Sequence, residues 1–279
     1  MRNIKLIALD LDGTLFQPDK TIAKEEREAI RQAIEKGIHV VISSGRPYVG
    51  LPHQAMQELG IRYAITVNGA AVYRAPEKEC IFSDVITWEQ VMPVLSFLQD
   101  KDVYSDVFVD GDGYGTTDLL PVLDRLPFPE VVKQYKRDTR IFVPDLAKHL
   151  REMNHPVQKI TLDFCENERG ERIFRSETEA FLNTLGCFRV VCGGEMDLEI
   201  TSPTASKSAA LSALAGELGI SMEGVMAIGD AQNDLDMIMA AGVGVAMENA
   251  EQSVKDAADV VTRSNVEHGV AWMIRRVLQ

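Results

Sequence analysis

The feature that most constrains this chain is the run Leu6-Ile7-Ala8-Leu9, which is apolar without interruption and stops at Asp10. A strand that is apolar on both faces must be covered on both faces, as a central strand of a parallel sheet is. The pattern recurs in Val40-Val41-Ile42 and in Ala64-Ile65-Thr66-Val67, which runs into the turn pair Asn68-Gly69. Between these runs, residues 21–35 carry Ile22, Ala29, Ile30, Ala33 and Ile34 at helical spacing, with Thr21 as cap and Gly37 as stop. A second helix is expected from Pro47 to Gly60. The last third repeats the rhythm: helix over 206–218, strand over 225–228, helix over 234–241, strands at 243–247 and 260–261, and a helix over 270–278. Strands alternating with helices of about 10–15 residues predict an α/β fold, a doubly wound parallel Rossmann-like sheet.

The middle of the chain breaks this rhythm. Alternating pieces at 103–110 and 158–165 mix with short helical stretches, as in an α+β module inserted into the sheet domain. The expected division is a sheet domain of residues 1–84 and 190–279 with an insert at 85–189.

Charge and composition exclude several classes of function. The net charge of −13 argues against nucleic acid as a partner, since that binding rests on cations neutralising phosphates. An anionic ligand would have to be captured by a local group of cations and amides against the field of the whole chain. No apolar run approaches the ~18–20 residues of a membrane helix, so no membrane partner is expected. The N-terminal stretch lacks the small-residue site of a signal peptide. Cys80, Cys165, Cys187 and Cys192 show no CxxC spacing, which fits thiols in a reducing cytoplasm.

Three segments follow directly after expected strands, where open α/β sheets bind ligands. In Asp10-Leu11-Asp12-Gly13-Thr14, carboxylates at i and i+2 of an extended chain point the same way and call for a cation or a shared proton. Alone, the segment reads equally as an acidic turn. Ser44-Gly45-Arg46-Pro47 offers a hydroxyl, a close backbone approach and amides at a helix start, which together suit an anion. A plain helix cap by Ser44 is the competing reading. Gly229-Asp230-Ala231-Gln232-Asn233-Asp234 gathers carboxylates at another helix start. Neighbouring parallel strands would set Asp10, Asp12 and Asp230 together as a three-oxygen cluster suited to Mg²⁺. Lys207 stands in the first turn of a helix, where a cation is disfavoured unless an anion lies near.

Taken together, these motifs resemble the haloacid dehalogenase-like phosphohydrolases. The match runs from DxDGT at 10–14 through Ser44 in SSGR and Lys207 to GDxxND at 229–234, in the family's order. Asn68-Gly69-Ala70 and the stretch from Ala240 to Ala250 are similar to its Cof-type branch, in which a large α/β cap is inserted where the middle module lies here. The chain departs from the pattern at Ser202, Thr204 and Ser208 around the lysine, and at Glu248.

The resemblance implies a cytoplasmic Mg²⁺-dependent phosphatase that hydrolyses small phosphorylated metabolites, sugar phosphates first among them. Asp10 is the implied nucleophile, ionised without help at an ordinary carboxylate pKa near ~3.9. Asp12 is the implied acid and base, with its backbone carbonyl joining Asp10 and Asp230 on the metal. The amides of Leu11 and Gly45, with Ser44, Lys207 and Asn233, are the implied phosphate ligands. Asp234 is expected to orient Lys207 or a metal-bound water, and Arg46 to contact substrate unless a carboxylate holds it. Phosphoryl transfer to a sugar, as in phosphomannomutases, is the second reading, and a non-catalytic phosphometabolite-binding protein the third. Asp110-Gly111-Asp112-Gly113 lacks the further ligands of a calcium loop and reads as a hairpin turn.

Overall fold

The computed structural model describes residues 3–192 and 197–279 and divides into two compact units, one of residues 1–83 and 206–279, the other of 84–205.

The first unit opens with β1 (Leu6–Leu9), α1 (Lys24–Glu35), β2 (His39–Ser43), α2 (His53–Leu59), β3 (Tyr63–Thr66), β4 (Ala71–Arg74) and β5 (Glu79–Ser83). The second unit holds α3 (Trp88–Leu98), β6 (Val103–Val109), β7 (Asp112–Thr116), α4 (Leu120–Arg125), α5 (Glu130–Thr139), β8 (Arg140–Val143), α6 (Leu146–Met153), β9 (Lys159–Phe164), α7 (Arg175–Leu185), β10 (Arg189–Val191) and β11 (Asp197–Thr201). The first unit then resumes with α8 (Lys207–Glu217), β12 (Val225–Gly229), α9 (Leu235–Ala240), β13 (Val243–Ala246), α10 (Gln252–Ala257), β14 (Val260–Val261) and α11 (Gly269–Leu278).

In the first unit the sheet order is β14-β13-β12-β1-β2-β3-β4-β5. Every pair from β14 to β3 is parallel, while β4 and β5 add an antiparallel edge. The apolar run that opens the chain is therefore central, with β1 paired to β12 on one side and β2 on the other. Alternate residues serve alternate faces. Leu6 and Ala8 pack with Val41, Val225 and Ala227 against Ala210, Leu211 and Leu214 of α8. Buried on α1 and α11, which contact each other, are Ala29, Ile30, Ala33, Val270, Ala271 and Ile274.

The helix expected from Pro47 starts later. Pro47 is extended, a single turn covers Tyr48–Gly50, and α2 begins at His53 and closes at Gly60 in the left-handed region. Ser44 caps no helix, because its Oγ accepts instead from the Arg46 amide two residues on, at 3.2 Å.

The second unit is a sheet of order β10-β11-β9-β6-β7-β8, antiparallel except between β7 and β8. One face buries Val107, Ile160, Leu162, Leu198 and Ile200 against Val91, Val94, Leu146, Leu150 and Leu182 of α3, α6 and α7. On α5, buried Lys136 reaches Asp106 and Asp163, 2.8 Å from each. The unit ends later than the sequence suggested. The expected end at 189 moves to 205, since β11 pairs with both β9 and β10 and so belongs to the second unit. Among the described residues, no helix is long and apolar enough to cross a membrane.

Candidate active site

Parallel register brings the three loops to one end of the first unit's sheet. Leu9 is level with Ile42 on one side and Ile228 on the other, so Asp10, Ser44 and Asp230 all emerge just past the strand ends. The Asp10 amide is tied to the Ile228 carbonyl at 3.0 Å.

Lys207 is the centre of the arrangement. It is the first residue of α8, after the cap Ser206, and is 1% exposed. Its Nζ donates to Asp10 Oδ1 at 2.8 Å and to Asp234 Oδ1 at 2.6 Å. Burial works against its charge, but the two carboxylates outweigh that and hold the ammonium protonated. The other oxygen of Asp234 accepts from the Asp230 and Ala231 amides at 3.0 and 3.1 Å, so Asp234 anchors Lys207 with both oxygens committed. Gly69 closes this corner. Its φ is +93°, and a Cβ there would overlap the Ser206 carbonyl at the start of α8.

Carboxylate oxygens of Asp10, Asp230 and Asp234 lie within 4.8 Å of one another. Burial, then repulsion from Asp234, pushes Asp10 up to about 8 despite Lys207. Ionisation of Asp10 is therefore not, as expected, unopposed: burial and Asp234 work against its charge, and Lys207 works for it. Asp230 is raised to about 6 by burial, moderated by the Thr14 hydroxyl that donates to its Oδ1 at 2.7 Å. Asp10 and Asp230 each retain an oxygen to which no described group donates. Carboxylates whose surroundings work against their charge, grouped closely enough to share one ion, fit a hard divalent cation.

Asp12 does not join that cluster. Its side chain points elsewhere, and Asp234 is the third carboxylate of the group instead. Gly13 has φ +88° in the turn that follows Asp10, and a Cβ there would overlap the Asp230 carboxylate. The Asp12 side chain, 40% exposed, is gripped by Arg46 through two bonds of 2.8 Å and by Lys20 Nζ at 2.7 Å. Burial opposes its charge, but these two cations prevail and hold the carboxyl below its ordinary range.

The remaining expected residues are close by in the backbone. Ser44 is buried, and its carbonyl accepts from the Asn68 amide at 3.2 Å. Gly45 faces the Asn68 side chain, and Asn68 Oδ1 accepts from exposed Asn233 Nδ2 at 3.3 Å. Leu11 is wholly buried in the turn. Sequence reasoning passed over Thr14, Lys20 and Asn249, whose Nδ2 holds the Gly13 carbonyl at 2.8 Å. Thr14 was visible within DxDGT, whereas nothing in the sequence marks Lys20.

Comparison with known proteins identifies the family. The family model for haloacid dehalogenase-like hydrolases matches residues 7–274. The phosphatase YwpJ of Bacillus subtilis (strain 168) is 34% identical over 99% of this chain and 100% of its own. The 5-amino-6-(5-phospho-D-ribitylamino)uracil phosphatase YcsE of the same organism is 30% identical over 98% of this chain and 95% of its own. A haloacid dehalogenase-like hydrolase from Bacteroides thetaiotaomicron superposes with a TM-score of 0.80 at 30% identity, covering 98% of this chain and 99% of that one. With its strand-end loops matched in order and nearly its whole length covered, the chain belongs to the haloacid dehalogenase-like hydrolases, among their Cof-type members, and is a phosphoric monoester hydrolase of that family.

Proposed function

We propose that the chain is a Mg²⁺-dependent phosphatase of small phosphorylated metabolites, with sugar phosphates as the leading class, working through an aspartyl-phosphate on Asp10. The observation that carries this reading is the buried Asp10 carboxylate, 2.8 Å from Lys207 and grouped with Asp230. Asp10 and Asp230 would hold the metal by carboxylates and Asp12 by its carbonyl. When bound, the ion supplies the positive charge that lets an anionic nucleophile approach a phosphate dianion.

The chain's own groups do the rest. An Asp10 oxygen attacks phosphorus in line with the leaving oxygen, forming the Asp10–phosphorus link as the ester bond breaks. The departing alkoxide takes a proton from Asp12. Asp12 then takes one from the water that attacks the aspartyl-phosphate and releases Asp10. Lys207, Ser44, the Leu11 and Gly45 amides and Asn233 surround the phosphoryl oxygens, where charge builds in the transition state. Asp234 keeps Lys207 in place. The substrate class is supported by the relative whose name specifies a phosphoribityl compound, an ester on a polyhydroxyl chain.

The test is phosphate release from sugar phosphates, nucleotides, pyridoxal phosphate, flavin-pathway phosphates and p-nitrophenyl phosphate, with Mg²⁺ and with EDTA. Metal-dependent release is expected, falling below about a thousandth in Asp10→Asn, in line with loss of a covalent nucleophile. Release that persists in EDTA would remove the metal, and turnover by Asp10→Asn would remove the nucleophile. Activity only with an added bisphosphate would point to phosphoryl transfer.

A further inference from the structure

Arg46 is engaged in several directions at once. Its Nε donates to Asp12 Oδ2 and its Nη2 to Asp12 Oδ1, both at 2.8 Å. Its Nη1 faces the Gly50 carbonyl at 3.4 Å, and the guanidinium carbon lies 5.3 Å from the Phe16 ring centre. The backbone is held as well, since the Arg46 carbonyl accepts from the Val67 amide at 3.0 Å. A guanidinium anchored this way is not poised to reach for a ligand. A two-point fork fixes both the position and the plane of a carboxylate, which one contact cannot do.

The two oxygens of Asp12 are also unequal. Oδ1 accepts from Arg46 and from Lys20 Nζ at 2.7 Å, while Oδ2 accepts from Arg46 Nε. The more lightly engaged oxygen has the greater capacity left for a further hydrogen bond.

We infer that Arg46 is a positioning residue for Asp12, setting its carboxylate so that Oδ2 is the oxygen that exchanges the catalytic proton, with Lys20 occupying Oδ1. This rests on the reading of Asp12 as acid and base. In the first half, the proton that Oδ2 took from water in the preceding turnover passes to the leaving alkoxide as the ester P–O bond breaks and the Asp10–phosphorus bond forms. In the second half, water loses a proton to Oδ2 as its oxygen bonds to phosphorus and the Asp10–phosphorus bond breaks. Arg46 acts through Asp12 and makes no contact with the phosphate.

A double-mutant cycle tests this, using Arg46→Gln, Arg46→Lys, Asp12→Asn and the Arg46→Gln/Asp12→Asn pair with Mg²⁺. Each is assayed on ribose 5-phosphate, an alkyl ester that needs a proton to leave, and on p-nitrophenyl phosphate, which does not. Arg46→Gln should lower kcat/KM, which reports the first half alone, by about 30-fold on the alkyl ester and at least about tenfold less on the aryl ester, with KM little changed. Arg46→Lys should lose in the same pattern, because it keeps the charge and loses the fork. The double variant should be no slower than Asp12→Asn. A rise in KM with kcat unchanged would make Arg46 a substrate contact and overturn the inference. So would equal losses on both esters, or losses that multiply in the double variant, if Asp12→Asn alone is selective for the alkyl ester. If Asp12→Asn itself shows no such selectivity, the acid–base reading fails first and the inference goes with it.

Discussion

At the scale of single residues, the site is defined by carboxylates held in unequal states. Asp12 is stabilised as an anion, whereas Asp10 and Asp230 are raised to about 8 and about 6. Raised carboxyl pKa values mean that the folded protein binds more protons than the unfolded chain above about pH 4. Metal-free stability should therefore be greatest on the acid side of that window and fall as pH rises through 6 and towards 8. A cation displaces those protons, so its affinity should rise over the same window. Thermal melts in EDTA and in Mg²⁺ at pH 6 and 8 check this. The expected result is a lower Tm at pH 8 in EDTA and a larger Mg²⁺-induced rise there, with Asp230→Asn raising the EDTA value and abolishing the rise. A metal-free Tm that climbs from pH 6 to 8 would contradict it. The identities of Asp10, Lys207, Asp230 and Asp234 were legible because motif order and strand ends both point to them. The direction of Asp12 was not. Its i, i+2 relation to Asp10 implied a shared direction only if the backbone stayed extended, and the turn already begins at Leu11, between the two. The opposition to Asp10's charge was hidden too, since it comes first from burial and then from Asp234, both of which only the folded chain supplies.

At the scale of elements, short buried strands were readable because their composition admits one environment, while helix starts were set by tertiary demands. Pro47 is a good first helical residue in isolation, yet the Arg46 carbonyl is committed to Val67, and the chain stays extended there. A less expected element contact joins α1 and α11. Glu26 is 1% exposed on α1 and sits near the Ala271 and Val270 amides that begin α11. Burial pushes its carboxyl up to about 7, the amides and Arg275 pulling the other way. Its folded pKa lies above its unfolded value of 4.5, so its contribution is fully present at low pH and is lost as pH rises through 7. Glu26→Gln, neutral at every pH, should be more stable than the wild type at pH 8 by about 1–3 kcal/mol and close to it at pH 5. Urea unfolding at the two pH values reads this directly, and a Glu26→Gln protein that is weaker at pH 8 would show that the anion serves as a needed cap.

At the scale of the whole molecule, the chain is one sheet unit interrupted by another. The interruption was legible as a change of rhythm, but its end was not, because β11 alternates in a way that fits either unit until its partners are known. The second unit has its own apolar cluster. A fragment of residues 84–205 should fold cooperatively by itself, whereas 84–189 should not, since it lacks β11, which joins β9 to β10. Circular dichroism with thermal melting distinguishes them, and a folded 84–189 would return the boundary to its earlier place. The placement of β1 between β2 and β12 has a consequence in time. Thr14, one turn beyond β1, finds its partner Asp230 only 216 residues later. At ~5–20 residues per second, the growing chain spends on the order of 10–40 s with β1 bare along one edge. During that interval the ribosome carries an exposed pairing template that invites aggregation. Because Lys207, Asp230 and Asp234 all lie in the last third of the chain, the proposed site cannot assemble within that interval either.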